Sequence, residues 1–233
     1  NWTDVSGSLM ADPRIVDDPK IIDILTYSEL RELSYMGATV LHEEAVFPVR
    51  IAGIPINIRN TNSPEDKGTI IVPKSATCNT CGITGIAGKK GFSVINIEKD
   101  LMNGTIGFGK KVLDVLESYN VSFEHLPSGI DTMGIVVSTK ALDKHRDDIL
   151  YDIKQTVHPD LLYIEDGLSL VAVVGRGMVR NIGVAARIIT AISKAGINIR
   201  MMDQGTRENN IILSIDEDDF EKTIKVIYNE FSE

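Results

Sequence analysis

Phe92-Ser93-Val94-Ile95-Asn96-Ile97 and Leu168-Ser169-Leu170-Val171-Ala172-Val173 are two apolar runs of the same make, and the segments downstream of them decide the fold. Laying residue n over residue n + 76 aligns the runs without a gap and keeps aligning the chain beyond them. Phe92, Val94, Ile95 and Ile97 fall on Leu168, Leu170, Val171 and Val173, and Ile106-Gly107 falls on Ile182-Gly183. Val112, Leu113 and Leu116 fall on Ile188, Ile189 and Ile192, and Ile135-Val136-Val137-Ser138 falls on Ile211-Ile212-Leu213-Ser214. The match lies in the apolar pattern more than in identity, which is how two copies of one structural unit read after divergence.

Each copy opens with a strand-like run and continues with apolar residues at helical spacing, as in Val112, Leu113, Leu116 and Tyr119. Val121 to Leu126 and Gly134 to Thr139 then read as strands around a turn with Pro127, Ser128 and Gly129, before a helix from about Lys144 and a short strand at Leu161 to Glu165. Strand, helix, strand, strand, helix, strand is the ferredoxin-like βαββαβ order, an α/β (α+β) arrangement with two helices on one face of a four-stranded sheet. In the second copy the last helix, Phe220 to Phe231, leaves almost no residues for a closing strand. Gly68-Thr69-Ile70-Ile71-Val72 is expected to fill that edge, so that the first copy is nested inside the second. The expected division is 1–65 as a separate region, 82–167 as the first copy, and 66–81 with 168–233 as the second.

Residues 1–65 share none of the repeat. They read as a polar loop, a helix, a second short helix and a strand at Ile54 to Ile58. Thr26 with Glu29 makes a capping box, Leu30 and Leu33 supply a buried face, and Gly37 ends the helix. Asn60-Thr61-Asn62-Ser63-Pro64 is a turn-rich linker and places a boundary near residue 65.

Composition narrows the function. The 233 residues are 43% hydrophobic, enough for one large or two small buried cores. A net charge of -9 and a pI near 5.0 repel phosphate backbones and anionic lipid, so no nucleic acid and no membrane is expected as a partner. No run approaches the roughly 20 apolar residues that span a bilayer, and the first residues lack a signal-peptide pattern, so a soluble, cytoplasmic protein is expected. A start at Asn1 without Met leads us to expect that the chain begins inside a larger protein. Cys78 and Cys81 form a lone Cys-x-x-Cys, short of the four ligands of a structural zinc site, and His42, His125, His145 and His158 are scattered. No metal site is expected.

Trp2-Thr3-Asp4-Val5-Ser6-Gly7, then Ala11-Asp12-Pro13-Arg14-Ile15-Val16, resembles the nucleotide-side signature of aspartate kinases, W-T-D-V-x-G followed by D-P-R. Gly37-Ala38 with Val40-Leu41-His42 is similar to the family's next motif, with Thr39 where many members carry Lys and Glu43 where they carry Pro. Gly68-Thr69 stands in its expected place, and a nested pair of ACT domains is that family's regulatory architecture, so the resemblance covers the whole chain. It implies transfer of the γ-phosphoryl group of ATP, with magnesium, to the β-carboxylate of L-aspartate, giving 4-phospho-L-aspartate and ADP. Such chemistry rests on positioning and charge neutralisation. The resemblance puts Thr3, Asp4 and Arg14 at the nucleotide, and the planar fork of Arg14, aimed by the Asp12-Pro13 turn, suits a phosphate. The family's Lys-Phe-Gly-Gly segment and its aspartate-binding residues are not in this sequence. The fragment alone is therefore expected to be inactive and to hold no catalytic residue.

A site for a free amino acid needs backbone donors for the carboxylate and an anion or carbonyls for the ammonium. The first copy offers both. Met102-Asn103-Gly104-Thr105-Ile106-Gly107-Phe108 sits where strand turns into helix, and Ser122, Phe123 and Glu124 lie on the following strand. In lysine-inhibited aspartate kinases the matching positions bind lysine between ACT domains of two subunits. The resemblance therefore implies an effector, lysine and perhaps threonine, at Met102, Thr105, Gly107, Phe108, Ser122, Phe123 and Glu124, closed by Ser128, Gly129 and Asp131, in a homodimer. The second copy has Arg200 where the first has Glu124, so no second lysine is expected there. Gly175-Arg176-Gly177 begins like a dinucleotide fingerprint but has Arg180 at the third glycine, and Gly107-Phe108-Gly109 fails likewise at Val112. The competing reading is a non-catalytic amino-acid-binding module acting on another partner. Such a module has no use for the Trp2 to Val16 signature.

Overall fold

The computed structural model describes residues 1–38, 41, 43–73, 82–179 and 181–232. It falls into two compact units, Asn1–Lys89 with Leu170–Glu233, and Lys90–Ser169. Thr39, His42, Cys78, Cys81 and Arg180 lie outside the described residues.

The first stretch of the larger unit contains β1 (Trp2–Thr3), β2 (Ile24–Thr26), α1 (Tyr27–Tyr35), α2 (Glu43–Ile51), β3 (Ile56–Asn60) and β4 (Thr69–Val72), with the strands in the order β1-β3-β4-β2. β1 runs parallel to β3 and β2 parallel to β4, while β3 and β4 are antiparallel. Leu25, Ile58 and Ile71 are fully buried, the apolar face that alternation along a strand produces. α1 starts where the capping box places it: Thr26 accepts the Glu29 N–H, and the Glu29 carboxylate accepts the Thr26 N–H at 2.8 Å. The strand expected at Ile54 to Ile58 forms at Ile56–Asn60. One expectation fails here. The Gly68 to Val72 run does not close the second repeat copy, because Thr69–Val72 is β4, hydrogen-bonded between β2 and β3.

The unit Lys90–Ser169 takes the later part of β5 (Gly85–Glu98), then α3 (Phe108–Ser118), β6 (Phe123–His125), β7 (Thr132–Ser138), α4 (Thr139–Leu142), α5 (Arg146–Val157) and the start of β8 (Leu161–Val174). Its strands lie in the order β6-β7-β5-β8, the ferredoxin-like order. β5 and β7 are antiparallel in unbroken register from Phe92↔Ser138 to Glu98↔Thr132. Ile95, Ile97, Ile135 and Val137 on one sheet face pack against Val112 and Leu116 of α3 and Ile149 and Ile153 of α5.

β8 then continues into the larger unit, followed by α6 (Val184–Lys194), β9 (Ile199–Asp203), β10 (Asn210–Asp216) and α7 (Phe220–Ser232), with the strands in the order β5-β8-β10-β9. Val171, Val173, Ile211 and Leu213 pack against Ile188, Ile192, Ile224 and Ile227, the same design as in the first copy. The fourth strand of this copy is the beginning of β5: the Thr84 N–H donates to the Val174 carbonyl at 2.6 Å. The first copy is thus nested inside the second, but through two strands that each serve both copies. Gly91 and Gly167, at matching positions of the repeat, carry positive φ of 87° and 73° where one copy hands over to the other.

Candidate functional site

The strand-to-helix connection of the first copy leaves β5 at Glu98, passes a three-ten turn at Met102–Gly104 and enters α3 at Phe108, with Gly107 as a left-handed N-cap at φ 77°. Met102 and Phe108 are core residues by their side chains, 9% and 5% exposed. Turn bonds use up part of the backbone: the N–H groups of Met102, Gly104, Thr105 and Phe108 donate to Lys99, Leu101, Met102 and Thr105 carbonyls. Among the described residues the N–H groups of Ile106, Gly107, Gly109 and Lys110 make no backbone hydrogen bond, and these are the donors available to an anion at the helix start.

The turn after β6 lies against this connection. The Lys99 N–H donates to the Asp131 carbonyl at 2.8 Å and the Asn103 N–H to the Ile130 carbonyl at 3.2 Å, which brings Ile130 and Asp131 to the loop, while Ser128 and Gly129 pair with Met133 and Thr132 across their own turn. Asp131 Oδ1 is buried and has no hydrogen-bond partner among the described residues. A buried carboxylate oxygen without a donor is costly unless something cationic completes it. Ser122, just before the edge strand β6, and Phe123, its first residue, are exposed, and Glu124 sits at the register shift between Phe123↔Val137 and His125↔Val136. Glu124 is already engaged within the chain, and the acid whose backbone is bonded to the loop is Asp131. Leu101, Ile106 and Ile130, on the loop and the turn bonded to it, are exposed at 78%, 98% and 70%, while Phe123, 45% exposed, is level with Ser93 at the other end of the sheet.

On the nucleotide side, Thr3 ends β1 and Asp4 follows it, at the carboxyl ends of the parallel pair β1 and β3. The Thr3 hydroxyl donates to Asp4 at 3.1 Å, and the Thr3 carbonyl accepts the Thr61 N–H at 2.8 Å. Asn60 Nδ2 donates to Ser6 Oγ at 2.9 Å, and Ser6 Oγ donates to Asp66 at 2.6 Å. The carboxyl ends of parallel strands are where open α/β sheets take ligands. Asn60, Thr61 and Asp66 therefore join this cluster, although the sequence presents the Asn60 to Pro64 run only as a linker. Arg14 is not joined to Thr3 or Asp4: it forks onto Asp12, with Nη2 to Oδ2 at 2.6 Å, and its side chain is 85% exposed. The Arg14 hydrogen bond holds the Asp12 carboxyl below the usual carboxylate range against the opposing effect of burial.

In the second copy Arg200, at the position of Glu124, pairs with Asp216 on the neighbouring strand at 3.1 Å. Gly175 is explained by packing: a Cβ there would lie 2.8 Å from Ile83 Cα and 2.9 Å from the Gly82 carbonyl oxygen.

Residues 171–231 match the ACT domain model, and residues 1–60 match the amino acid kinase family model. Aspartokinase 3 of Bacillus subtilis is 41% identical over 233 residues, covering 99% of this chain and 51% of that protein. The crystal structure of the aspartate kinase of Clostridium acetobutylicum, described as an allosteric enzyme, is 56% identical with a TM-score of 0.95, over 99% of this chain and 54% of that one. Aspartokinase III of E. coli, in complex with lysine and aspartate, shares the fold at a TM-score of 0.77 and 24% identity, over 100% of this chain and 51% of that one. The chain spans about half the length of these relatives.

Proposed function

The chain belongs to the aspartokinase family, and from that premise we propose that it is the part of an aspartate kinase through which an amino-acid effector regulates phosphoryl transfer. The observation that carries this reading is that the segment bearing the partnerless buried oxygen of Asp131 is hydrogen-bonded to the loop in which the N–H groups of Ile106, Gly107 and Gly109 make no backbone hydrogen bond. A zwitterion supplies both complements at once, its ammonium to Asp131 and its carboxylate to the helix start. Lysine is the proposed effector, with threonine as a second ligand of the same class. The exposed apolar residues Leu101, Ile106 and Ile130 at the loop, and Phe123 on the edge strand, support closure of the site by a second copy of the chain, as a homodimer.

In the longer polypeptide, ATP with magnesium is proposed to lie at Thr3 and Asp4, with Arg14 turned from Asp12 toward phosphate, and the γ-phosphoryl group passes to the β-carboxylate of L-aspartate. These 233 residues by themselves are proposed to be inactive. Among the described residues no helix is long and apolar enough to cross a membrane. The proposed place of action is the cytoplasm, where ATP is available.

Calorimetric titration with lysine and then threonine tests the reading. Lysine is expected to bind, and Asp131→Asn to weaken it roughly tenfold or more, since hydrogen bonds to charged groups contribute about 1.5–3 kcal/mol. Absence of binding by either amino acid, or unchanged affinity in Asp131→Asn, would overturn it.

A further inference from the structure

The place in the second copy that matches the candidate effector loop already holds a carboxylate, and it comes from the chain's own first region. The three-ten turn Arg176–Val179 follows β8 as Met102–Gly104 follows β5. Against it lies Glu29 of α1, with its side chain 1% exposed. Glu29 Oε1 accepts the Arg176 N–H at 3.2 Å and the Thr84 hydroxyl at 2.6 Å. Glu29 Oε2 accepts Arg176 Nη1 at 2.9 Å, the Thr26 N–H at 2.8 Å and the Thr26 hydroxyl at 2.7 Å. A capping box alone needs only Thr26. The remaining donors come from the second copy's loop and from the residue just before β5.

Neighbouring contacts lie along the same face of α1. Asn209 Nδ2 donates to Ser28 Oγ at 3.2 Å, and Asn210 Nδ2 donates to Glu32 at 2.8 Å, so Ser28, Glu29 and Glu32 all meet the second copy. Burial pushes the Glu29 carboxyl up, but the hydrogen bonds from Thr84, Thr26 and Arg176 together outweigh it and hold the group below its ordinary value. Arg176 also matches Asp100 of the first copy, an exchange of sign at the loop's start.

We infer that the strand-to-helix loop of the second copy is a carboxylate receptor filled in cis by Glu29, which takes the place of a free ligand's carboxylate and ties α1 to this copy. The inference rests on the repeat and on the Glu29 contacts, and stands whether or not the first copy binds lysine. While Glu29 is seated, this loop takes no free amino acid, and any shift of the loop is passed to α1.

The test uses the full-length polypeptide, with formate as the probe and chloride at equal ionic strength as its control. Glu29→Ala vacates the receptor and leaves Arg176 in place. Its thermal midpoint is expected to rise saturably with formate, whereas the wild type and the double variant Glu29→Ala/Arg176→Met show no formate-specific rise. No such rise in Glu29→Ala, or an equal rise in the double variant, overturns the inference. Should Glu29→Ala fail to fold, Arg176→Met decides by hydrogen exchange: α1 amides are expected to exchange at least tenfold faster with α3 amides unchanged, and unaltered α1 exchange refutes the tie. Lysine titrated into Arg176→Met should bind as in the wild type. Loss of lysine binding in every protein, wild type included, would instead count against the effector reading alone.

Discussion

Gly107→Ala and Gly183→Ala form a matched pair that separates folding from ligand binding. Both glycines are left-handed N-caps, of α3 at φ 77° and of α6 at φ 94°, and a Cβ added at either meets nothing within 4 Å. The cost is therefore backbone strain without a clash. An L residue forced into the left-handed region costs about 1–2 kcal/mol. A stiffer unfolded chain returns roughly 0.4–1 kcal/mol of it. Each substitution should then lower stability by about 1 kcal/mol, and by the same amount at both sites, as urea denaturation would show. Binding should differ. Relief of strain at residue 107 moves the helix start that carries the Ile106 and Gly109 N–H groups, and about 1.4 kcal/mol of lost contact is a tenfold weaker affinity. Calorimetric titration with lysine should show that loss in Gly107→Ala and none in Gly183→Ala. Equal weakening by both substitutions would refute the placement of the ligand, and a stability loss above about 3 kcal/mol at either would refute the absence of a clash.

Arg176→Met should cost the folded chain about 3–5 kcal/mol in denaturant midpoint measurements, because it removes the counter-charge of a Glu29 carboxylate that is 1% exposed, and a loss under about 1 kcal/mol would show the pair to be incidental. The Asp166 carboxyl is held below the usual carboxylate range by the Arg146 hydrogen bonds first and by Ser93 second, so its contribution is present above the unfolded value of about 3.9 and lost as pH falls through the lower folded value. The stability gap between wild type and Asp166→Asn should accordingly hold at neutral pH and close on acidification, and a gap that widens toward low pH would contradict the sign.

The repeat made the architecture legible because apolar residues facing a core must recur at strand and helix spacing, and Ile95, Ile97, Ile135 and Val137 do so. The nesting was legible from a missing edge strand. The identity of that strand was not, because Gly85-Ile86-Ala87-Gly88-Lys89-Lys90-Gly91 has the composition of a turn. Its glycines serve close packing instead: a Cβ on Gly88 would come within 2.7 Å of both the Leu170 carbonyl oxygen and the Phe220 ring. Thr69–Val72 misled for the opposite reason, since a strand-like run says that it pairs without saying with what. At the candidate site, loop positions followed from the strand-to-helix join. Which N–H groups make no backbone bond, and which acidic segment is bonded to the loop, depends on turn bonds and on the contact of residues 99–103 with 130–131. No spacing rule encodes those contacts.

The two copies keep one backbone and exchange its charges. Asp100, Glu124 and Asp131 of the first copy stand where the second has Arg176, Arg200 and Arg207. A loop that presents N–H groups attracts a carboxylate in either copy. The neighbouring sign then decides what else the ligand carries. With Asp131 beside it, the first copy is suited to a ligand that bears an ammonium as well as a carboxylate, which is the definition of a free amino acid. With Arg176 beside it, the second copy is suited to a carboxylate alone, which is what a glutamate side chain offers, and Glu29 supplies one at 2.9 Å. The same inversion therefore turns one duplicate toward a diffusible ligand and the other toward the chain's own α1. Reversing it at a single position is the sharpest check on this account: Arg176→Asp would set two carboxylates against each other in a buried place, and should release α1 from the second copy while leaving lysine affinity in the first unchanged.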